Sequence, residues 1–149
     1  LSTLRIEMGH IAGSELDGRT IPYDNSLEGL VSKKKDFIGK RSLDREAFIA
    51  EDRQKVVGVV PIDKKTSIPE GSHLVKDAMA PIPNPKLGYI SASCWSVEYD
   101  NPFSLAILKD GKNMIGQKLF AMSPLKNKTI PVEIGSSHYV DPKGERVRS

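Results

Sequence analysis

Residues 55–62 read KVVGVVPI, an almost unbroken apolar run rich in β-branched residues. Such a run predicts a strand covered on both faces, because a half-exposed strand would alternate apolar and polar positions instead. Shorter apolar segments follow at residues 73–75, 87–96, 103–108, 118–121 and 130–134. Between them lie Pro69-Glu70-Gly71, residues 81–85, Asp100-Asn101-Pro102, Asp110-Gly111 and Ser123-Pro124, all of them turn chemistry. The prolines are expected to fall between strands, where no ladder N–H is needed. Strands of this length and spacing predict an all-β sandwich or small barrel from about Arg53 onward.

The first 52 residues have a different texture. Residues 1–8 predict the end of a helix that Gly9 stops, since glycine takes the left-handed cap conformation at little cost. Residues 10–30 are turn-rich and predict irregular structure with a short helical turn near Leu27. Residues 44–51 predict a short helix with Ser42 as N-cap. The chain begins Leu-Ser-Thr-Leu inside this helical pattern, without an initiator methionine, which points to a piece of a longer polypeptide. The expected organisation is α+β: the tail of an α+β domain over residues 1–52, then a β-barrel domain over residues 53–149.

Composition narrows the function classes. With 22 basic and 19 acidic residues the net charge is +3, too balanced to demand a polyanionic partner. The cluster SKKKDFIGKRSL at residues 32–43 keeps a nucleic-acid module open as a rival reading, and Phe37 and Ile38 within it are expected to anchor the segment to a core. No apolar window reaches the ~18 residues of a membrane helix, so no membrane partner is expected. Cys94 is the only cysteine, which excludes an internal disulfide and a multi-cysteine zinc site and favours a reducing, cytoplasmic compartment.

Candidate reactive groups are few. Cys94 lies in the alternating pattern YISASCWSV, where a packed small hydrophobe is a better reading than a nucleophile served by His73 or His138. The three histidines share no metal-ligand spacing, so no metal is assigned. Trp95, Tyr89, Tyr99 and Phe103 suit either a stacking platform or a barrel core, with the core favoured. Glu7 sits at a helix C-terminus, where the macrodipole disfavours a carboxylate. Composition alone favours a solvent-facing Glu7; the alternative is an acid held to accept hydrogen bonds from a ligand bearing N–H donors.

Several of these pieces, taken in order, resemble a known family. LRIEMG at residues 4–9, Thr20-Ile21-Pro22, GLVSKKKDFIG at residues 29–39 and GYISASCWS at residues 88–96 are similar to motifs of the aminomethyltransferase (glycine-cleavage T-protein) superfamily. Within it, SKKKDFIGKRSL, the Trp95-Ser96 pair and HYVDPKGER near the end most resemble the alpha subunits of heterotetrameric sarcosine oxidases, over nearly the whole chain.

The resemblance implies a Greek-key C-terminal barrel of the T-protein type and a folate-linked enzyme. In such enzymes an N-methyl amine is oxidised at a flavin, and tetrahydrofolate captures the one-carbon unit. FAD, FMN and NAD are expected elsewhere in the intact enzyme, and the partners are the remainder of the alpha subunit and the other sarcosine oxidase subunits. The resemblance also implies three folate-binding residues and no catalytic one. Glu7 matches a glutamate that hydrogen-bonds the pterin ring. Lys35 falls where T-proteins place a folate-contacting arginine, keeping the charge but not the planar fork. Tyr139 lies near a tyrosine position associated with the ligand. A T-protein-like aminomethyltransferase, a dimethylglycine dehydrogenase fragment and a purely structural domain are the remaining alternatives.

Overall fold

The computed structural model describes residues 1–81 and 83–148; Ile82, inside the expected turn segment 81–85, lies outside the described residues. Six strands make up its β portion: β1 (Lys55–Pro61), β2 (His73–Val75), β3 (Gly88–Ser96), β4 (Asn101–Leu108), β5 (Lys118–Ser123) and β6 (Lys128–Gly135). They close into a barrel in the order β1-β4-β3-β2-β5-β6, with every neighbouring pair antiparallel. Closure is direct, because β1 pairs with both β4 and β6. Strands β2, β3 and β4 follow one another in space, and β5 returns beside β2, which is a Greek key. The expected choice between sandwich and barrel therefore resolves to the barrel.

The barrel interior is aliphatic. Val57, Val59, Leu74, Ile90, Ala106, Leu108, Leu119, Ala121, Ile130, Val132 and Ile134 fill it. The aromatic residues expected in the core lie elsewhere: Phe103 packs on the outer face with Ile6, Val56, Ala92, Leu105 and Ile107. This second cluster explains the sequence pattern of β1 and β4. All eight residues of β4 are buried, because the barrel takes one face and the N-terminal segment covers the other. Strand β6, without such a cover, alternates exposed and buried positions from Thr129 to Ile134.

Strand β3 changes phase along its length. Its register with β4 shifts between Ile90 and Ala92, so Ser91 is an extra residue with no partner. Before this bulge Ile90 points into the barrel; after it Ala92 and Cys94 face the N-terminal segment. Ser91 Oγ is placed to donate to Leu105 O at 3.1 Å.

The N-terminal segment is short on regular structure: α1 (Ser2–Glu7), a 3-10 turn at Glu28–Leu30, α2 (Lys40–Leu43) and α3 (Glu46–Ile49). A last helix, α4, spans Glu145–Arg148. Gly9 does follow α1, with φ +66°. There, a Cβ would sit 2.6 Å from Ser137 O, so the position is closed to other residues by contact as well as by φ. Ser42 is not an N-cap, because it lies inside α2; Gly39, at φ 92°, and Arg45 precede the two short helices instead.

Two further expectations are corrected. Phe37 is 39% exposed and Ile38 fully exposed, so neither anchors the basic segment to a core. Short backbone contacts shape that segment instead, including Lys40 Nζ donating to Lys35 O at 3.0 Å. Prolines are also not confined to turns: Pro61, Pro102 and Pro131 lie within β1, β4 and β6. Pro61 ends its strand and Pro102 is second in its own, where a missing N–H costs little.

Charged pairs tie the N-terminal segment to the barrel. Asp24, 1% exposed, accepts from Arg53 Nε at 2.6 Å and Arg53 Nη2 at 2.8 Å, and its Oδ2 also accepts from Ile21 N–H. Its backbone carbonyl takes Val56 N–H at 2.7 Å, which places this pair at the start of β1. The Arg53 guanidinium also lies 5.0 Å from the Phe48 ring centre. No helix among the described residues is long and apolar enough to cross a membrane.

Candidate functional site

Glu7 ends α1, where the last carbonyls of a helix lack intrahelical partners. The barrel supplies them: Tyr139 N–H and Val140 N–H both donate to Glu7 O at 3.0 Å. The Glu7 side chain is only 5% exposed, so it is not the solvated residue favoured by composition. Its Oε1 accepts Val97 N–H at 3.0 Å, from the turn between β3 and β4. Among the described residues the other oxygen, Oε2, accepts no hydrogen bond. Backbone N–H groups offset the unfavourable end of the helix dipole and make a buried carboxylate tenable here.

A hydrogen-bond network lies beside Glu7. Arg5, two residues back, donates to His10 O at 3.2 Å and to Glu15 Oε2 at 3.3 Å. Glu15 is fully buried and also accepts Ala12 N–H at 2.9 Å and the Ser14 hydroxyl at 3.0 Å. Burial pushes the Glu15 carboxyl up, but hydrogen bonds from Ser91, Ala12 and Ser14 and the Arg5 charge outweigh it and hold the group below its ordinary value. Ser91 has one hydroxyl proton, so it serves either this carboxylate or Leu105 O at any moment.

Tyr139 meets Glu7 through the backbone. Its ring stacks on Phe103 at 4.1 Å and 8°, with Tyr99 edge-on at 4.8 Å. Its hydroxyl donates to Asn101 Oδ1 at 2.9 Å. Lys35 is exposed, and no hydrogen bond or ion pair joins it to Glu7 or Tyr139 among the described residues. The structure therefore brings Glu7 and Tyr139 together and leaves Lys35 apart.

Cys94 lies on the same covered face. Its thiol is pushed up to about 11, first by burial and then by the negative charge of Glu7, against a smaller opposing effect of Arg5. At neutral pH it is a thiol and a poor nucleophile. No hydrogen bond connects it to His73 or His138 among the described residues. No group of three His, Cys, Asp or Glu side chains there is placed to hold a metal ion.

Comparison with known proteins bears on the family resemblance. Over 149 residues, the chain is 38% identical to sarcosine oxidase subunit alpha of Rhizobium meliloti (strain 1021), covering 99% of this chain and 15% of the relative. The subunits of Corynebacterium sp. strains U-96 and P-1 are 37% and 36% identical, each over 98% of this chain and 15% of their own length. This chain is homologous to part of the sarcosine oxidase alpha subunit. It spans about one seventh of the length of those relatives. No protein-family model matches it. The fold is shared with the glycine cleavage system aminomethyltransferase T of Bartonella henselae, at a TM-score of 0.72 and 20% identity over 95% of this chain and 38% of that one. The sarcosine oxidase homology and the T-protein fold expected from the motifs are thus both found.

Sequence reasoning missed the groups that hold Glu7. Val97 acts through a backbone N–H, 90 residues away in the chain, and a main-chain donor leaves no mark in side-chain pattern. Asn101, 7% exposed, had a usable signal: a polar residue that begins an all-buried strand needs a partner, and it has Tyr139.

Proposed function

We propose that the chain is part of a sarcosine oxidase-type alpha subunit and forms one wall of a tetrahydrofolate site. On this reading residues 1–52 are the end of the folate-binding domain and residues 53–149 are the aminomethyltransferase-type barrel. The enzyme is an oxidoreductase acting on N-methyl amines, with FAD, FMN and NAD bound by other parts of the assembly. The remainder of the alpha subunit and the other subunits are the partners. Tetrahydrofolate, when bound, supplies the nitrogens that take up the one-carbon unit released by amine oxidation.

The observation that carries this reading is the state of Glu7: a buried carboxylate with Oε1 held by Val97 N–H and Oε2 without a partner among the described residues. A pterin offers adjacent N–H donors, and a carboxylate accepts such donors strongly. Arg5 makes no hydrogen bond to that oxygen among the described residues; its Nη1 donates to His10 O and Glu15 Oε2 instead. Tyr139 contributes ring surface rather than its hydroxyl, which Asn101 occupies. Lys35 contributes a positive charge from the exposed basic segment toward an anionic ligand.

The test is Glu7→Ala in the intact oxidase. Loss of a charge-assisted hydrogen bond costs about 1.5–3 kcal/mol, so tetrahydrofolate affinity falls by more than tenfold while amine oxidation continues. Calorimetric titration measures the affinity, and oxygen consumption measures the oxidation. Unchanged affinity removes Glu7 from the folate site and with it the main support for this reading.

A further inference from the structure

The turn between β3 and β4 is built more firmly than a simple hairpin connection requires. Ser96, fully buried at its start, accepts Tyr99 N–H at 3.3 Å. Trp95 Nε1 donates to Asp100 Oδ1 at 3.1 Å, across the same turn. Asp100 closes it at φ +48°, a conformation aspartate tolerates better than most residues. From outside, Arg146 of α4 pairs with Glu98 at 2.7 Å, and the Tyr99 ring meets Tyr139, whose N–H is on Glu7 O. Within this frame Val97 N–H points at Glu7 Oε1, so the side chain and the backbone of Glu7 are fixed by two different parts of the barrel chain.

We propose that this turn is the positioning device for the Glu7 carboxylate. Val97 N–H locks Oε1 and thereby turns Oε2 toward the N–H donors of the ligand. Ser96 is the positioning residue that keeps the amide in its donating orientation. The proposal deepens the folate reading and rests on it for the identity of the ligand, though not for the link between turn and carboxylate.

Cys94 makes that link measurable without a ligand. The Glu7 charge is one of the causes that raise its thiol, so a carboxylate released from Val97 alters the pH at which Cys94 reacts. In the intact enzyme, iodoacetamide alkylation of the Cys94 peptide is followed by mass spectrometry as a function of pH. The variants are Val97→Pro, which deletes the donor, and Ser96→Ala, a mild change that loosens the turn and keeps the strand. Each is made alone and with Glu7→Gln, and tetrahydrofolate affinity is titrated in parallel.

The expected result is a lower alkylation midpoint in both turn variants and no further change when Glu7 is already Gln. Tetrahydrofolate affinity falls about tenfold in Val97→Pro, again only while Glu7 is present. Equal shifts in both backgrounds mean that the turn acts on structure at large and overturn the proposal. So does an unchanged midpoint in Ser96→Ala and Val97→Pro alike. A shifted midpoint with folate affinity unchanged in every variant, Glu7→Gln included, upholds the turn as the device but overturns folate as its ligand.

Discussion

Asp24→Asn tests whether the N-terminal segment is held to the barrel by one buried ion pair. The substitution conserves shape and removes the charge. In the native structure Asp24 receives both Nε and Nη2 of Arg53, at 2.6 and 2.8 Å, and shares Oδ2 with Ile21 N–H. An asparagine keeps one acceptor but turns an NH2 group toward the guanidinium, so one leg of the fork is lost and replaced by opposed donors. Breaking a buried pair by removing one partner costs about 3–5 kcal/mol. The Arg53 side chain is 20% exposed and keeps Ala47 O as an acceptor, so water and the carbonyl recover part of this and the expected loss is about 3 kcal/mol. With a urea dependence of about 1.5–2 kcal/mol per molar for a chain of this size, the unfolding midpoint falls by about 1.5–2 M. Urea titration followed by far-UV circular dichroism measures it. Asp17→Asn, in the exposed pair with Arg19, serves as the control and leaves the midpoint in place. A drop in Asp24→Asn no larger than that of the control would refute the argument.

Two other perturbations follow from the geometry. At Gly58 a Cβ would lie 2.1 Å from Ser136 O and 2.8 Å from the Phe103 ring, so Gly58→Ala is expected to cost about 1–3 kcal/mol by overpacking; urea unfolding equal to wild type would show that the Ser136 backbone and the Phe103 ring both give way freely. Glu15 titrates below its ordinary value of 4.5, so its contribution to stability is complete above that value and is lost as the pH falls through the lower folded value. Glu15→Gln therefore flattens the acid limb of stability measured between about pH 6 and pH 3. An unchanged acid limb would mean that other carboxylates govern it.

What could be read in advance depended on which physical signal each residue carries. The doubly covered β1 was legible because Val56, Val57 and Val59 are buried on alternate faces, and a run of valines has no other economical explanation. The outward place of Phe103 was not legible, since an aromatic residue in a β segment has the same composition whether it faces the barrel interior or the segment packed outside. Phe37 and Ile38 misled for a related reason: apolar identity argues for burial, yet over half of a protein surface is apolar and single residues need no cover. For the candidate site, the motif around residues 4–9 singled out Glu7, and local chemistry around it argued for solvent. Burial came from contacts made by residues 97, 139 and 140, which no helix-end rule near position 7 encodes.

The extra residue in β3 carries a consequence beyond its local bend. Up to Ile90 the even-numbered residues of β3 face the barrel interior, and from Ala92 onward they face the N-terminal segment. A chain with Ser91 deleted would join Ile90 directly to Ala92, and these already pair with the consecutive residues Ala106 and Leu105 of β4, so the second half of β3 would keep its faces. Cys94 would still face the N-terminal segment and Ser93 would still meet Ser104. What the inserted residue adds is a hydroxyl at the joint of the strand, shared between Leu105 O and the Glu15 carboxylate, without disturbing the faces on either side.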